Sequence, residues 1–226
     1  MEKLKFLRVQ FDTEIAPYEI PAFRGAIASK VGRDSVLYHN HLDDKTFRYG
    51  YPLIQYKRVG KQPTILCIGD GVDEIHKFFE NSSWNVTLSN RELDMKIAKL
   101  DMHQFTMQVW EKDFTYKIFN WIALNQEGYK EYNKLDALAD KILFLEKKLT
   151  GNILSLAKGI NWTVQKEIRT KIIDLGELRP VRVKGIRMMA FNPTFKTNVF
   201  LPNFIGLGGK VSLGFGTVKE VRRNKA

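Results

Sequence analysis

Hydrophobic spacing lays out one order of elements twice along this chain, and that repetition most narrows its fold. In the first half, residues 4–11 alternate in part (Leu4, Phe6, Leu7, Val9, Phe11), as a strand does. Residues 23–31 follow the start signal Pro21 and predict a short helix. Residues 35–41 are strand-like. Residues 51–59 and 63–68 flank Gly60-Lys61-Gln62, a hairpin pattern. Gly69-Asp70-Gly71 is a turn, and residues 72–80 place Val72, Ile75 and Phe79 at helical spacing. Residues 84–88 and 93–100 return to strand.

The second half starts the cycle again. Residues 104–124 predict two strands broken near Lys112-Asp113. Residues 129–149 carry Leu135, Leu138, Ala139, Ile142, Leu145 and Leu149 on one helical face. Thr150-Gly151-Asn152 predicts a break, and residues 153–157 begin another helical stretch. From Glu167 on, strand patterns dominate, at residues 170–175, 181–191, 198–201, 211–213 and 216–221. The expected class is α+β: two tandem ferredoxin-like (βαββαβ) domains with antiparallel sheets, residues 1–103 and 104–226. Each is of ordinary domain size.

The charge is lopsided. The 226 residues carry 36 Lys and Arg against 25 Asp and Glu, a formal net +11. Residues 1–113 hold 16 basic and 16 acidic side chains, so the whole excess lies in residues 114–226. Residues 158–226 alone hold 14 basic and 4 acidic groups. A one-sided positive field attracts a polyanion, most often nucleic acid. The single cysteine, Cys67, excludes a disulfide framework and a cysteine-rich zinc module. Apolar runs are too short to span a membrane, and the first ten residues lack a signal-peptide core. These features predict a soluble, cytoplasmic protein without a membrane partner.

Residues 205–218 hold five of the 16 glycines, spaced G-x-G-G-x-x-x-x-G-x-G. No Gly-Lys-Ser/Thr closes this segment, so it is not a P-loop, and no helix pattern follows it as a dinucleotide fingerprint requires. One reading is a glycine-containing hairpin. The other is a backbone that approaches phosphates closely, with Lys210 adding charge.

Gly206-Leu207-Gly208 followed after five residues by Gly214-Phe215-Gly216-Thr217-Val218 resembles the C-terminal glycine-rich loop of the RAMP superfamily of CRISPR-associated proteins. Phe23-Arg24-Gly25, His39-Asn40-His41 and the stretch from Tyr51 to Lys57 resemble one branch of it, the endoribonucleases that cut CRISPR repeat RNA into guide RNAs. The resemblance implies cleavage without metal or cofactor by the RNA's own 2′-hydroxyl, leaving a 2′,3′-cyclic phosphate.

Such a reaction needs a base for the 2′-proton, an acid for the leaving oxygen, and cations around the phosphorane. Histidine suits both proton roles. His39 and His41 stand two apart and share a face if that segment is extended. Tyr38, Tyr49 and Lys57 are further candidates for the catalytic set. With Asp43-Asp44 the pair also weakly resembles a metal cluster, and it also fits surface histidines beside a turn.

For RNA binding, Arg179, Arg182, Lys184 and Arg187 interleave with apolar residues, which predicts a strand pair with one basic and one apolar face. Gly206, Gly208, Gly209, Lys210, Gly214 and Gly216 complete the expected RNA-binding set. The implied partners are CRISPR repeat RNA, a CRISPR effector complex and a second copy of the chain. A non-catalytic guide-RNA-binding RAMP subunit and an unrelated α+β RNA-binding module remain open.

Overall fold

A computed structural model describes residues 2–32, 35–39, 41–43, 46–47, 50–183 and 185–221. The elements run β1 (Glu2–Phe11), α1 (Ile20–Val31), α2 (Val36–His39), β2 (His41–Asp43), β3 (Thr46–Phe47), β4 (Ile54–Val59) and β5 (Gln62–Ile68). Next come α3 (Asp70–Glu74), α4 (His76–Phe79), β6 (Val86–Leu88), β7 (Arg91–Leu93) and β8 (Ile97–Met107). The remainder is β9 (Val109–Phe119), α5 (Gln126–Asn133), α6 (Leu138–Gly159), β10 (Thr170–Asp174), β11 (Leu178–Val183), β12 (Ile186–Phe191), β13 (Thr194–Val199) and β14 (Thr217–Glu220).

The chain divides into two compact units. One holds Lys3–Thr106 and takes in Ser212–Gly214; the other holds Met107–Val211 and continues from Phe215. The first contains the sheet β4-β5-β1-β8, the second the sheet β10-β13-β9-β14. In both, the order by sequence is second, third, first, fourth strand, the ferredoxin-like arrangement. β1 pairs antiparallel with β5, and β5 with β4. β9 pairs antiparallel with β13 and β14, and β13 with β10.

Alternation explains the first core. Leu7, Val9 and Phe11 of β1 bury one face against Phe23 and Ile27 of α1, and Phe11 meets Phe23 and Phe78 edge to face. In the second unit, α6 buries Leu145, Leu149, Ile153, Leu156 and Ala157 along one stripe. The second unit departs from the repeat in two places. The hairpin β11–β12 is inserted between its second and third strands, and between β13 and β14 the glycine-rich segment replaces a helix.

Several expected boundaries move. Residues 36–39 are helical, not strand. β9 runs unbroken through Lys112-Asp113, and the break falls at Gln108. α6 continues through Thr150-Gly151-Asn152, where Thr150 Oγ1 donates to the Glu146 carbonyl at 3.0 Å. Residues 211–213 form a 3-10 turn, not a strand.

Candidate functional site

His39 closes α2 and His41 opens β2, where it stands opposite Phe47. The extended segment on which that expected alternation depends is not present, because 36–39 is a helical turn. The side chains of His39 and His41, and all of Tyr49 and Lys184, lie outside the described residues.

Tyr38, one residue before His39, is 1% exposed. Its hydroxyl donates to the Glu74 carbonyl at 3.1 Å, and its backbone N–H donates to the Ser35 carbonyl at 3.0 Å. Burial pushes the phenol far above its usual range, with Cys67, Tyr56 and Glu74 adding to the effect. A buried, hydrogen-bonded phenol with a raised pKa does not exchange protons with a substrate. Tyr38 instead ties α2 to the end of α3.

Lys57 is also buried, at 1% exposed, on β4 opposite Thr64. Desolvation lowers its ammonium from the usual lysine range to about 7. Strand alternation sets Gln55 and Lys57 on one face of the sheet and Ile54 and Tyr56 on the other. Tyr56 meets Phe23 of α1 edge to face, and Tyr38 packs in that same core. The structure therefore separates Tyr38 and Lys57 onto opposite faces of the N-terminal sheet.

The β11–β12 hairpin corrects a second expectation. Its register sets Arg182 opposite Arg187, and Arg179 opposite Ala190. Odd and even positions of β11 face opposite ways, so Arg182 and Arg187 share a face with Pro180 and Met189. Arg179 points to the other face with Val181 and Val183, and its Nε donates to Asn120 Oδ1 at 2.9 Å. The arginines do not form one basic face.

Packing accounts for much of the glycine-rich segment. Gly216 has φ +62, and a Cβ there would stand 1.8 Å from the Leu207 carbonyl oxygen. Gly208 has φ +92, and its Cβ would stand 2.7 Å from the Trp121 ring. The N–H groups of Gly209 and Gly216 donate to the carbonyls of Ile122 and Asn120, at 2.9 and 3.1 Å. Those two donors are therefore committed internally rather than offered to a phosphate. Gly206 is buried and bridges Thr217, and Gly214, grouped with the N-terminal unit, packs close to Ile20. Lys210, in the left-handed region at φ +59, is the exposed cation of the segment.

Two family models cover nearly the whole chain: the Cas6b N-terminal domain over residues 2–106 and the Cas6b C-terminal domain over residues 108–221. The chain belongs to the Cas6b family. A crystal structure of Cas6b matches 97% of this chain and all of its own, with TM-score 0.88 and 28% identity. A second, of a CRISPR RNA processing endoribonuclease Cas6b, covers the same shares with TM-score 0.74 and 25% identity. An uncharacterised protein of Methanocaldococcus jannaschii is 37% identical over 146 residues, 60% of this chain and 97% of its own. The Cas6b N-terminal match takes in Tyr38, His39, His41 and Lys57; the C-terminal match takes in the arginine hairpin and the glycine-rich segment.

Spacing along this Cas6b sequence does not single out Lys117 and Lys219. Pairing of β9 with β14 brings them directly opposite each other. The signal lies in sheet register, which a single sequence does not display.

Proposed function

We propose that this chain is an endoribonuclease that cuts CRISPR repeat RNA into guide RNAs without a metal. The observation that carries the reading is the match of both Cas6b domains along the chain, together with likeness to a structure described as a CRISPR RNA processing endoribonuclease. In the proposed reaction one histidine of the His39–His41 pair takes the 2′-hydroxyl proton. The 2′-oxygen attacks the adjacent phosphorus, and the bond to the 5′-oxygen breaks. The other histidine delivers a proton to that oxygen, leaving a 2′,3′-cyclic phosphate and a 5′-hydroxyl. Tyr38 is a positioning residue, since its buried hydroxyl holds the helical turn that ends in His39.

The test is single-turnover cleavage of repeat RNA in EDTA. Cutting at a defined position should persist in EDTA and stop with a 2′-deoxy nucleotide at the scissile position. H39A/H41A should cut at least about 100-fold more slowly while still binding RNA, as loss of general acid and base predicts. Y38F should lose about 1 kcal/mol of stability and keep cleavage within about 10-fold. Near-wild-type cleavage by H39A/H41A overturns the assignment, and tight binding with no cleavage by the wild type supports a guide-RNA-binding subunit instead.

A further inference from the structure

In the second sheet, Tyr116 and Ile118 of β9, Phe195 of β13 and Val218 of β14 are buried, so the alternate positions define the other, open face. On that open face Lys171 stands opposite Lys196, Lys196 opposite Thr115, and Lys117 opposite both Thr194 and Lys219. Four lysines, one from each strand, therefore form a diagonal across the sheet, about 14 Å wide from first strand to last. All four are partly or fully exposed, and none forms an ion pair among the described residues.

Two features make this more than a solvated surface. Lys171/Lys196 and Lys117/Lys219 are like charges placed directly opposite, which destabilises a sheet unless an anion offsets it. Nearby carboxylates are engaged elsewhere: Asp113 lies 3.3 Å from Arg169, and Asp174 accepts the Gly176 N–H at 3.0 Å. The diagonal also ends at an aromatic. Phe119, 36% exposed, has Lys117 Nζ at 5.8 Å and Lys219 Nζ at 6.0 Å from its ring centroid. Thr115, Thr194 and Thr217 add hydroxyls to the same face.

We propose that this open face is a track for single-stranded repeat RNA, with Lys171, Lys196, Lys117 and Lys219 on successive phosphates and Phe119 stacking a base. The proposal rests on the reading of the chain as a repeat-RNA nuclease. A cationic row beside an exposed ring suits a single strand, whose unstacked bases reach an aromatic; bases stacked inside a duplex do not.

The experiment measures binding of the full chain to repeat RNA made uncleavable by a 2′-deoxy nucleotide, over a salt series. With each single-strand phosphate contact worth about 0.7 in the slope of log affinity against log salt, K117A/K171A/K196A/K219A should lower that slope by about 3. F119A should weaken binding about 10-fold with the slope unchanged, as loss of one stacked base predicts. The quadruple Lys→Arg variant should keep wild-type affinity, which separates lost charge from lost folding. A folded quadruple Ala variant with the wild-type slope, beside a wild type that cuts repeat RNA, overturns this surface alone and leaves the face to a protein partner. A wild type that neither binds nor cuts repeat RNA overturns the functional reading and the surface with it.

Discussion

Arg182 and Arg187 stand directly opposite each other across the β11–β12 hairpin, and both are exposed. Two guanidinium groups in register repel, which costs the hairpin stability. Replacing both with Ala should separate stability from binding. Thermal unfolding should hold or rise, while the salt slope for repeat RNA should fall by about 1.4, two contacts at about 0.7 each. R179A should leave the slope nearly unchanged, because Arg179 lies on the other face and bonds Asn120. Titration of RNA into each variant at several salt concentrations checks this. Equal slopes for R182A/R187A and wild type would take the hairpin out of the RNA interface.

That arginine pair marks where sequence reading stops. Alternation in residues 4–11 and the stripe from Leu145 to Leu149 are enough to place β1 and α6, because each buries one continuous face. The faces of β11 and β12 are not legible, since interleaving four cations with apolar residues does not show which of them pair across the turn. In the short run Val36-Leu37-Tyr38 the β-branched Val36 and the aromatic Tyr38 favour strand, and so it reads as strand. The tertiary bond from Tyr38 to Glu74, beyond any local window, accompanies its helical turn. Lys57 enters the candidate catalytic set by residue type, and only the packing of the sheet shows it buried. Residue type and spacing are what propose the histidine pair, and neither shows that His39 ends a helical turn while His41 opens a strand.

Gly151 and Gly216 both read as punctuation in the sequence, and the structure gives them opposite characters. Gly151 lies inside α6, and nothing stands within 4 Å of the point an alanine Cβ would occupy, so helix and space both accept alanine. G151A should stabilise the protein by about 0.5–1 kcal/mol through the unfolded chain's lost freedom. G216A forces a Cβ to 1.8 Å from the Leu207 oxygen at φ +62, and should cost about 3 kcal/mol or more. Urea unfolding of the two variants checks both directions. A wild-type midpoint for G216A would contradict the packing of Leu207 against that glycine.

Lys57 supplies a pH signature of the fold. Its ammonium titrates at about 7 in the folded chain and near 10.5 when unfolded, because burial penalises the charged form. Arg8, on the same face of the sheet in β1, is already held by Asp101. Between those two values the unfolded state binds the extra proton, so stability rises with pH across that window, by up to about 1.4 kcal/mol per pH unit. Below pH 7 both states carry the proton, and above 10.5 neither does, so the contribution is flat outside the window. K57M removes the titration. The stability difference between wild type and K57M, measured by urea unfolding at several pH values, should move in favour of the wild type as pH rises from about 7 toward about 10. A difference that stays constant over that range would mean that Lys57 keeps an ordinary lysine pKa in the folded protein, and that its amino group reaches solvent.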